Sequence, residues 1–161
     1  TDVKAAAKGL YVIRDFAPGP RHGYVVCQGA FATFNTVKML PKLVQAGVNV
    51  KVISAISEEL FDRQPEAYRN SVLPPEAKQD LMFVMGSTRR VWPLRNVGAQ
   101  ADDYSLTADW DNQWLTGGLE ADVIAEAHLD PDSVFAGVKR FADERPARLQ
   151  TQRAVLDALE R

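Results

Sequence analysis

The polar turn that follows the second predicted strand is the first candidate for chemistry in this sequence. Gln28, Gly29 and Ala30 separate a short apolar run from a helical pattern. The backbone N–H groups of such a turn can hold an anion at the N-terminus of the helix. The second and third glycines of a dinucleotide-binding fingerprint are absent. Two interpretations stay open: a tight connection between strand and helix, or a candidate anion-binding turn.

The histidines and the single cysteine give little support for metal or nucleophilic chemistry. His22 and His128 lie far apart in sequence, and neither has ligand-like spacing around it. We expect His22 at the surface, in a loop rich in proline and glycine. We expect His128 near a helix C-terminus, where an imidazolium interacts well with the helix dipole. Cys27 ends a buried strand without a base or cation beside it, which predicts a buried hydrophobe.

Two clusters of charged residues belong to the second half of the chain. The acidic cluster comprises Asp102, Asp103, Asp109 and Asp111. It lacks the spacing of a calcium loop, so we expect these carboxylates to cap loops and face water. The basic cluster comprises Arg89, Arg90 and Arg95. Its guanidinium groups could bind phosphate oxygens in pairs, form a solvated face, or make salt bridges between subunits. The sequence predicts no catalytic, cofactor-binding or metal-binding residue.

Three tryptophans, Trp92, Trp110 and Trp114, also lie in this half. Buried rings would belong to the core, whereas exposed rings are typical of interfaces. Three large rings near loops and strand ends are hard to cover within one chain of this size. We therefore expect this surface to contact another subunit.

The elements that would position these residues are clearest between Val48 and Pro74. Val48–Ala55 is an apolar, β-branched run, typical of a strand covered on both faces in a parallel sheet. Ser57 is the predicted N-cap of the turn that follows. The polar residues after that turn are Asp62, Arg63, Gln64, Tyr68 and Arg69. We call them the polar corner and interpret them as a structural set of hydrogen bonds and ion pairs, because core residues flank the stretch.

The rest of the chain alternates between strand and helix patterns. Further strands are predicted at Leu10–Ile13, Tyr24–Cys27, Leu81–Met85 and Tyr104–Trp110. Helices are predicted from Phe31 or Ala32 to Ala46, over Ser87–Arg95 and Leu119–His128, from Asp130-Pro131 to Pro146, and over Ala147–Arg161. This alternation predicts an α/β domain of three layers. We expect residues 1–161 to form a single domain, with 146–161 as a terminal helix extension.

Composition excludes several classes of function. Hydrophobic residues make up 46% of the 161 residues and charged residues 25%, which is ordinary for a globular protein. A net charge of -2 gives no case for nucleic acid or an anionic membrane as a partner. No apolar run reaches the length of a membrane span, and a single cysteine excludes an internal disulfide framework. We expect a cytoplasmic protein. Because the chain begins at Thr1, we also expect a processed product, a trimmed chain or a piece of a longer one.

Two motifs in the central stretch resemble the C-terminal domain of transketolase. They are Phe61-Asp62-Arg63-Gln64 and Tyr68-Arg69-Asn70-Ser71-Val72-Leu73-Pro74. The resemblance extends more loosely from Gly9 to about Phe141. It implies a five-stranded mixed sheet in which four strands are parallel and Leu10–Ile13 is an antiparallel edge strand. At the Gln28 turn the family usually carries Thr-Gly-Ser-Glu, so this chain lacks polar side chains that could cap or bind there.

The resemblance also implies a function for the parent enzyme. Transketolases bind thiamine diphosphate and Mg²⁺ through a Gly-Asp-Gly motif, which this sequence lacks. The chain resembles only the last of three domains, which does not carry the thiamine chemistry. Its implied role is that of a non-catalytic domain, inactive alone, in an enzyme of pentose phosphate metabolism that transfers two-carbon ketol units between sugar phosphates. The implied partners are the remaining transketolase domains or subunit, in a homodimeric parent. A small-anion effector-binding module and the C-terminal domain of a 2-oxoacid dehydrogenase first component are the alternatives.

Overall fold

A five-stranded sheet forms the centre of the computed structural model, which describes residues 3–109 and 115–161. The strands are β1 Leu10–Arg14, β2 Tyr24–Gln28, β3 Lys51–Ala55, β4 Leu81–Met85 and β5 Leu106–Thr107. Their order is β1-β3-β2-β4-β5. β1 is antiparallel to β3, and the other neighbouring pairs are parallel. The predicted mixed sheet with one antiparallel edge strand is confirmed.

Helices cover both faces of this sheet. They are α1 Val3–Ala6, α2 Ala30–Gln45, α3 Glu58–Asp62, α4 Glu66–Val72, α5 Gln100–Tyr104, α6 Glu120–Glu126, α7 Pro131–Asp143 and α8 Arg145–Leu159, with a 3₁₀ helix at Pro75–Gln79. One apolar cluster joins one face of the strands to Leu43 of α2 and Phe141 of α7. A second cluster joins the other face to Phe61 of α3 and Ala101 of α5. The predicted three-layer architecture is confirmed.

The predicted helix starts are formed by local hydrogen bonds. Ser57 Oγ accepts a hydrogen bond from the N–H of Leu60 at 3.2 Å, as expected for an N-cap. Asp130 Oδ1 accepts from the N–H groups of Asp132 and Ser133 at the start of α7. Pro146 lies in the first turn of α8, where its missing N–H costs nothing. The sequence therefore specifies where these helices begin.

Two predictions for the region after β4 are wrong. Ser87–Arg95 is irregular rather than helical. Thr88 Oγ1 and the Arg89 N–H donate hydrogen bonds to Asp109, and in a helix these two groups would point in other directions. Among the described residues 104–109 of the predicted strand Tyr104–Trp110, Leu106–Thr107 alone pair in the sheet, and Tyr104 ends α5. Trp110 lies outside the described residues.

The third strand is also shorter than predicted. It begins at Lys51, whereas Val48–Val50 are buried without being part of the sheet. Asn49 and His22 exchange hydrogen bonds there: the His22 N–H donates to Asn49 O at 2.8 Å, and His22 Nδ1 accepts from the Asn49 N–H at 2.9 Å. His22 is half-buried, so its expected surface position is wrong.

Most of the apolar stripe on α2 is exposed. The stripe consists of Phe34, Val37, Leu40 and Val44, which recur at near-helical spacing. Phe34, Val37 and Val44 are 59%, 40% and 54% exposed, whereas Leu40 is partly buried against the core. α2 instead buries Asn35 and Leu43. Asn35 Nδ2 donates to the carbonyl of Leu129, just before α7, at 2.8 Å. Pro41 lies within α2, where proline is expected to kink or restart a helix, and α2 does not restart there but continues to Gln45.

Candidate functional site

The carboxyl ends of β2 and β4 form the natural place for a ligand in this fold. β3 and β4 lie on opposite sides of β2, and ligands of doubly wound α/β domains bind where the strand order reverses in this way. Gln28, Gly29 and Ala30 lie at this edge, as predicted. Ser87 Oγ, directly after β4, donates to Gln28 Oε1 at 3.4 Å. The crevice between these strands is therefore the candidate anion site.

Gly29 leaves the N-terminus of α2 without a side-chain cap. Its φ of 92° suits glycine, and a Cβ added there would meet no atom within 4 Å. The backbone N–H groups of the first turn of this 16-residue helix thus have no side-chain acceptor from the N-cap residue. Phe31 fills one side of the crevice, because its ring lies against Gly86 and leaves no room there for a Cβ. This geometry could accept a small anion, so the anion-binding turn stays a prediction.

The cysteine and the two histidines each lie in a different environment. Cys27 is fully buried, and burial raises the pKa of its thiol to about 12, against a smaller opposing effect of a hydrogen bond with Thr36. A thiol with this pKa stays protonated and unreactive near neutral pH. His128 is exposed and has a φ of 53° just after α6. His22 is held by Asn49, as described above.

Hydrogen bonds join one member of the acidic cluster, Asp109, to one member of the basic cluster, Arg89. Asp109 accepts from Thr88 Oγ1 and the Arg89 N–H, at 2.5 and 2.9 Å. Burial raises its pKa, but these hydrogen bonds, a further one with Thr107 and the nearby Arg89 charge together hold the pKa below its ordinary value. Asp102 and Asp103 are exposed on α5, and Asp111 lies outside the described residues.

The basic cluster is divided in the same way. Arg89 is bound to Asp109, whereas Arg90 is exposed. Arg95 belongs to another network, in which its Nε donates to Glu58 at 2.9 Å and its Nη2 to Asp62 at 2.9 Å. Arg89 and Arg95 thus bind different acidic residues.

The polar corner joins α3 to α4 through backbone acceptors. Arg69 Nη1 donates to the carbonyl oxygens of Asp62 and Gln64, both at 2.8 Å. Gln64 Nε2 donates to the carbonyl of Leu60 at 2.9 Å. Arg63 is exposed and forms the C-cap of α3.

Tyr68 extends the polar corner to the edge strand. Its hydroxyl donates to the carbonyl of Leu10 in β1 at 2.8 Å, and its ring packs edge-to-face on Phe61. Burial raises the pKa of this phenol, so it remains a donor. The geometry supports a structural role for the corner, and that role stays a prediction.

We expect Arg69→Ala to lower the free energy of unfolding by about 1–3 kcal/mol, because the substitution removes a charged donor and two carbonyl oxygens lose their hydrogen-bond partner. Asp62→Ala should cost less than about 1 kcal/mol. The Asp62 carboxylate is 52% exposed and, within the described ranges, pairs with the 68% exposed Arg95, whereas the Asp62 carbonyl binds Arg69. Urea unfolding followed by circular dichroism measures both.

Arg63→Ala is the matched control for this comparison, since it removes a neighbouring exposed arginine and should change stability by less than about 0.5 kcal/mol. Equal losses for Arg69→Ala and Arg63→Ala would contradict the structural interpretation of the polar corner.

Two buried ion networks were missed by sequence reasoning. Glu58, a carboxylate in the first turn of α3, is 9% exposed and binds Lys78 and Arg95. Asp80 accepts from Arg145 Nε at 2.6 Å and from Arg148 Nη2 at 2.8 Å, and so joins α8 to the start of β4. The available signal was an aspartate directly before an unbroken apolar strand, with two arginines three residues apart on the last helix.

The tryptophan prediction is tested at one position. Trp92 is half-buried and stacks on Phe83 of β4 with ring centroids 4.8 Å apart. Trp110 and Trp114 lie outside the described residues. The argument that these rings form a contact surface therefore stays a prediction.

These observations define a doubly wound α/β domain whose described polar side chains largely bind one another and the backbone. The family model described as "Transketolase-like TK C-terminal domain" matches residues 9–109. The chain therefore belongs to the transketolase C-terminal domain family, as the motifs around Phe61 and Tyr68 predicted.

Individual relatives agree with this assignment. The chloroplastic transketolase of Zea mays is 33% identical over 141 residues, which is 88% of this chain and 20% of the relative. The transketolase of Geobacillus stearothermophilus is 35% identical over 95 residues, 59% of this chain and 14% of the relative. The structure of the Leishmania mexicana transketolase superposes with a TM-score of 0.66 at 20% identity, over 91% of this chain and 20% of that one. The chain thus spans about a fifth of the length of the maize relative.

The residues present do not fit the cofactor that the family implies. The sequence contains no Gly-Asp-Gly motif. Across residues 3–109 and 115–161, no three or more His, Cys, Asp or Glu side chains are grouped so that they could hold a metal ion. Nor is any helix in those ranges long and apolar enough to cross a membrane.

Proposed function

We propose that this chain is the non-catalytic C-terminal domain of a transketolase-like enzyme that depends on thiamine diphosphate and Mg²⁺. The parent enzyme would transfer two-carbon ketol units between sugar phosphates in the cytoplasm, as part of pentose phosphate metabolism. The observation that carries this proposal is the family match over residues 9–109 in a chain that spans about a fifth of its maize relative. Residues 1–161 act as one domain, and the thiamine chemistry belongs to the remaining domains.

The role of the domain is to complete the fold and the homodimer of the parent. The exposed apolar stripe of Phe34, Val37 and Val44 on α2 supports this role, because large exposed apolar groups in a row favour an interface. One solved relative, titled "Split gene transketolase, inactive beta4 tetramer", has a TM-score of 0.58 at 11% identity. That title supports a partner that is either a linked domain or a separate subunit.

A chimera provides the test. The last domain of the Geobacillus stearothermophilus transketolase is replaced by this chain, and ketol transfer and dimer mass are measured with thiamine diphosphate and Mg²⁺ supplied. We expect a folded, active dimer, while this chain alone shows neither activity nor calorimetric binding of thiamine diphosphate. Phe34→Glu in the chimera should reduce the fraction of folded dimer, because a charge would be buried against the neighbouring domain.

The matched control for the chimera is Val91→Glu, at an apolar residue that is 64% exposed outside the α2 stripe. We expect it to leave the chimera unchanged. Micromolar binding of thiamine diphosphate by the isolated chain, or a folded chimera without activity, would contradict the proposal.

Anion binding at Gln28–Ala30 is the second candidate function, and it would make the chain an effector-binding module. It is supported by the uncapped N-terminus of α2 at the point where the strand order reverses. Calorimetric titration with inorganic phosphate tests it, and a loss of binding in Ala30→Pro, which removes one backbone N–H at the first helical position where proline is tolerated, would support a site at this turn. The third alternative, a domain of a 2-oxoacid dehydrogenase, has less support, since the family match is to transketolase.

A further inference from the structure

The outer half of α8 carries an apolar face that no described part of the chain covers. Val155, Leu156 and Leu159 are 55%, 61% and 79% exposed. Beside them a groove of about 590 Å³ opens between α8 and α5, with Tyr104 and Ala99 on its far wall. An exposed apolar face next to an apolar groove is typical of a protein interface rather than of a solvated helix.

The first turns of α8 hold this face in a fixed position. Arg145 and Arg148 are bound to the buried Asp80, and Gln152 Nε2 donates to the carbonyl of Gln79 at 2.6 Å. The anchored first turns of α8 therefore fix the direction in which the exposed second half of α8 points. A partner would meet a helix already ordered by these contacts, which lowers the entropic cost of binding.

The spacing of the face is that of a helix pair. Leu149, Gln152, Leu156 and Leu159 follow one another at intervals of three, four and three residues. This spacing places them on one seam, as in the core of a coiled coil. The seam needs a second helix with the same kind of stripe.

The charged residues beside the seam indicate which helix could pack against it. Arg153 and Glu160 are both exposed and lie seven residues apart, so they share one flank of the seam. If a second α8 is placed antiparallel across a two-fold axis, the Arg153 of each copy comes near the Glu160 of the other. A parallel arrangement would instead set this flank against the opposite flank of the other copy, which carries Val155, so Arg153 and Glu160 would not pair across the seam. The flank is thus complementary to itself in the antiparallel direction.

We propose that α8 pairs antiparallel with α8 of a second copy of this chain, with Leu156 and Leu159 packed in the seam and the pairs Arg153–Glu160 beside it. This self-association goes beyond the proposed function and requires no other transketolase domain. The seam is short, so the interface lies at the weak end of those known.

Sedimentation velocity of the full chain between about 1 µM and about 1 mM tests the proposal. We expect a reversible shift from monomer to dimer across this range. Leu156→Glu should weaken association at least about tenfold, because it places two carboxylates in an apolar seam. Leu119→Glu is the matched control: it alters a residue that is 75% exposed before α6 and should leave association unchanged.

Exchanging the charges of Arg153 and Glu160 tests both that the partner is a second copy of α8 and that the two helices are antiparallel. Arg153→Glu and Glu160→Arg should each weaken dimerisation several-fold, and the double variant should restore it. A chain that stays monomeric at every concentration, or a dimer that is insensitive to Leu156→Glu, overturns the proposal. A double variant as weak as the single ones overturns the antiparallel pairing. Circular dichroism of each variant confirms that α8 remains folded.

Discussion

Replacing Gly9 with alanine is expected to lower the free energy of unfolding by about 3–5 kcal/mol. Gly9 has a φ of 90°, and a Cβ at this position would lie 2.3 Å from the carbonyl oxygen of Ser57 and 2.4 Å from the backbone nitrogen of Phe61. Both are backbone atoms, so no side-chain rotation could make room. The Gly9 carbonyl also accepts hydrogen bonds from the N–H groups of Ile56 and Ser57. The substitution would therefore separate the start of β1 from the connection between β3 and α3.

Substitutions at two other glycines separate the contribution of backbone strain from that of close contact to the expected loss of stability at Gly9. Gly19 has a φ of 116° but open space around it, so Gly19→Ala should cost about 1 kcal/mol from backbone strain alone. Gly117 has open space without a positive φ, so Gly117→Ala should change stability by less than about 0.5 kcal/mol. Urea unfolding measures all three variants. Equal losses at Gly9 and Gly19 would show that the close approach of Gly9 to α3 contributes nothing.

The second large effect is expected at Asp80. This residue is 8% exposed, and its two carboxylate oxygens bind Arg145 Nε at 2.6 Å and Arg148 Nη2 at 2.8 Å. The Arg148 side chain is 4% exposed and also donates to the carbonyl of Phe141. Asp80→Asn would leave these guanidinium groups without a counter-charge in a buried place. We expect a loss of about 3–5 kcal/mol, since removing one partner of a buried ion pair leaves an uncompensated charge.

A double substitution distinguishes this cause from a simple loss of packing. Arg148→Met in the Asp80→Asn background should recover part of the loss, because it removes the uncompensated buried charge. The control is Asp132→Asn, whose 85% exposed carboxylate pairs with Lys42 at 2.9 Å, and which should cost less than about 1 kcal/mol. Thermal melting and urea unfolding measure each variant. Additive losses in the double variant would show that Asp80 and Arg148 do not interact.

The sequence alone predicted the parts of the fold that depend on local pattern. Val25–Cys27, Ile53 and Leu81–Met85 are fully buried in the central strands, and their unbroken apolar runs are what a parallel sheet covered on both faces requires. The caps at Ser57 and Asp130 were predictable for the same reason, because an N-cap binds N–H groups two or three residues away.

Long-range contacts decided the rest of the fold. Asp109 accepts hydrogen bonds from Thr88 and Arg89, about twenty residues earlier, and this removed the helix predicted at Ser87–Arg95. α2 shows why periodicity alone does not identify the buried face. Its apolar stripe at Phe34 and Val37 is exposed, while Asn35 is buried against the carbonyl of Leu129, 94 residues away.

The same division applies to the candidate sites. The Gln28 turn and the polar corner were found because each lies within one short stretch. Asp80, by contrast, binds Arg145, which lies 65 positions later in the sequence, and Arg148, which lies 68 positions later. Local sequence preferences do not predict such a long-range pairing. Burial creates the energetic demand for that ion pair, since a carboxylate withdrawn from water requires a charged partner. Only the tertiary structure determines which carboxylate is withdrawn from water, and therefore which arginines must accompany it.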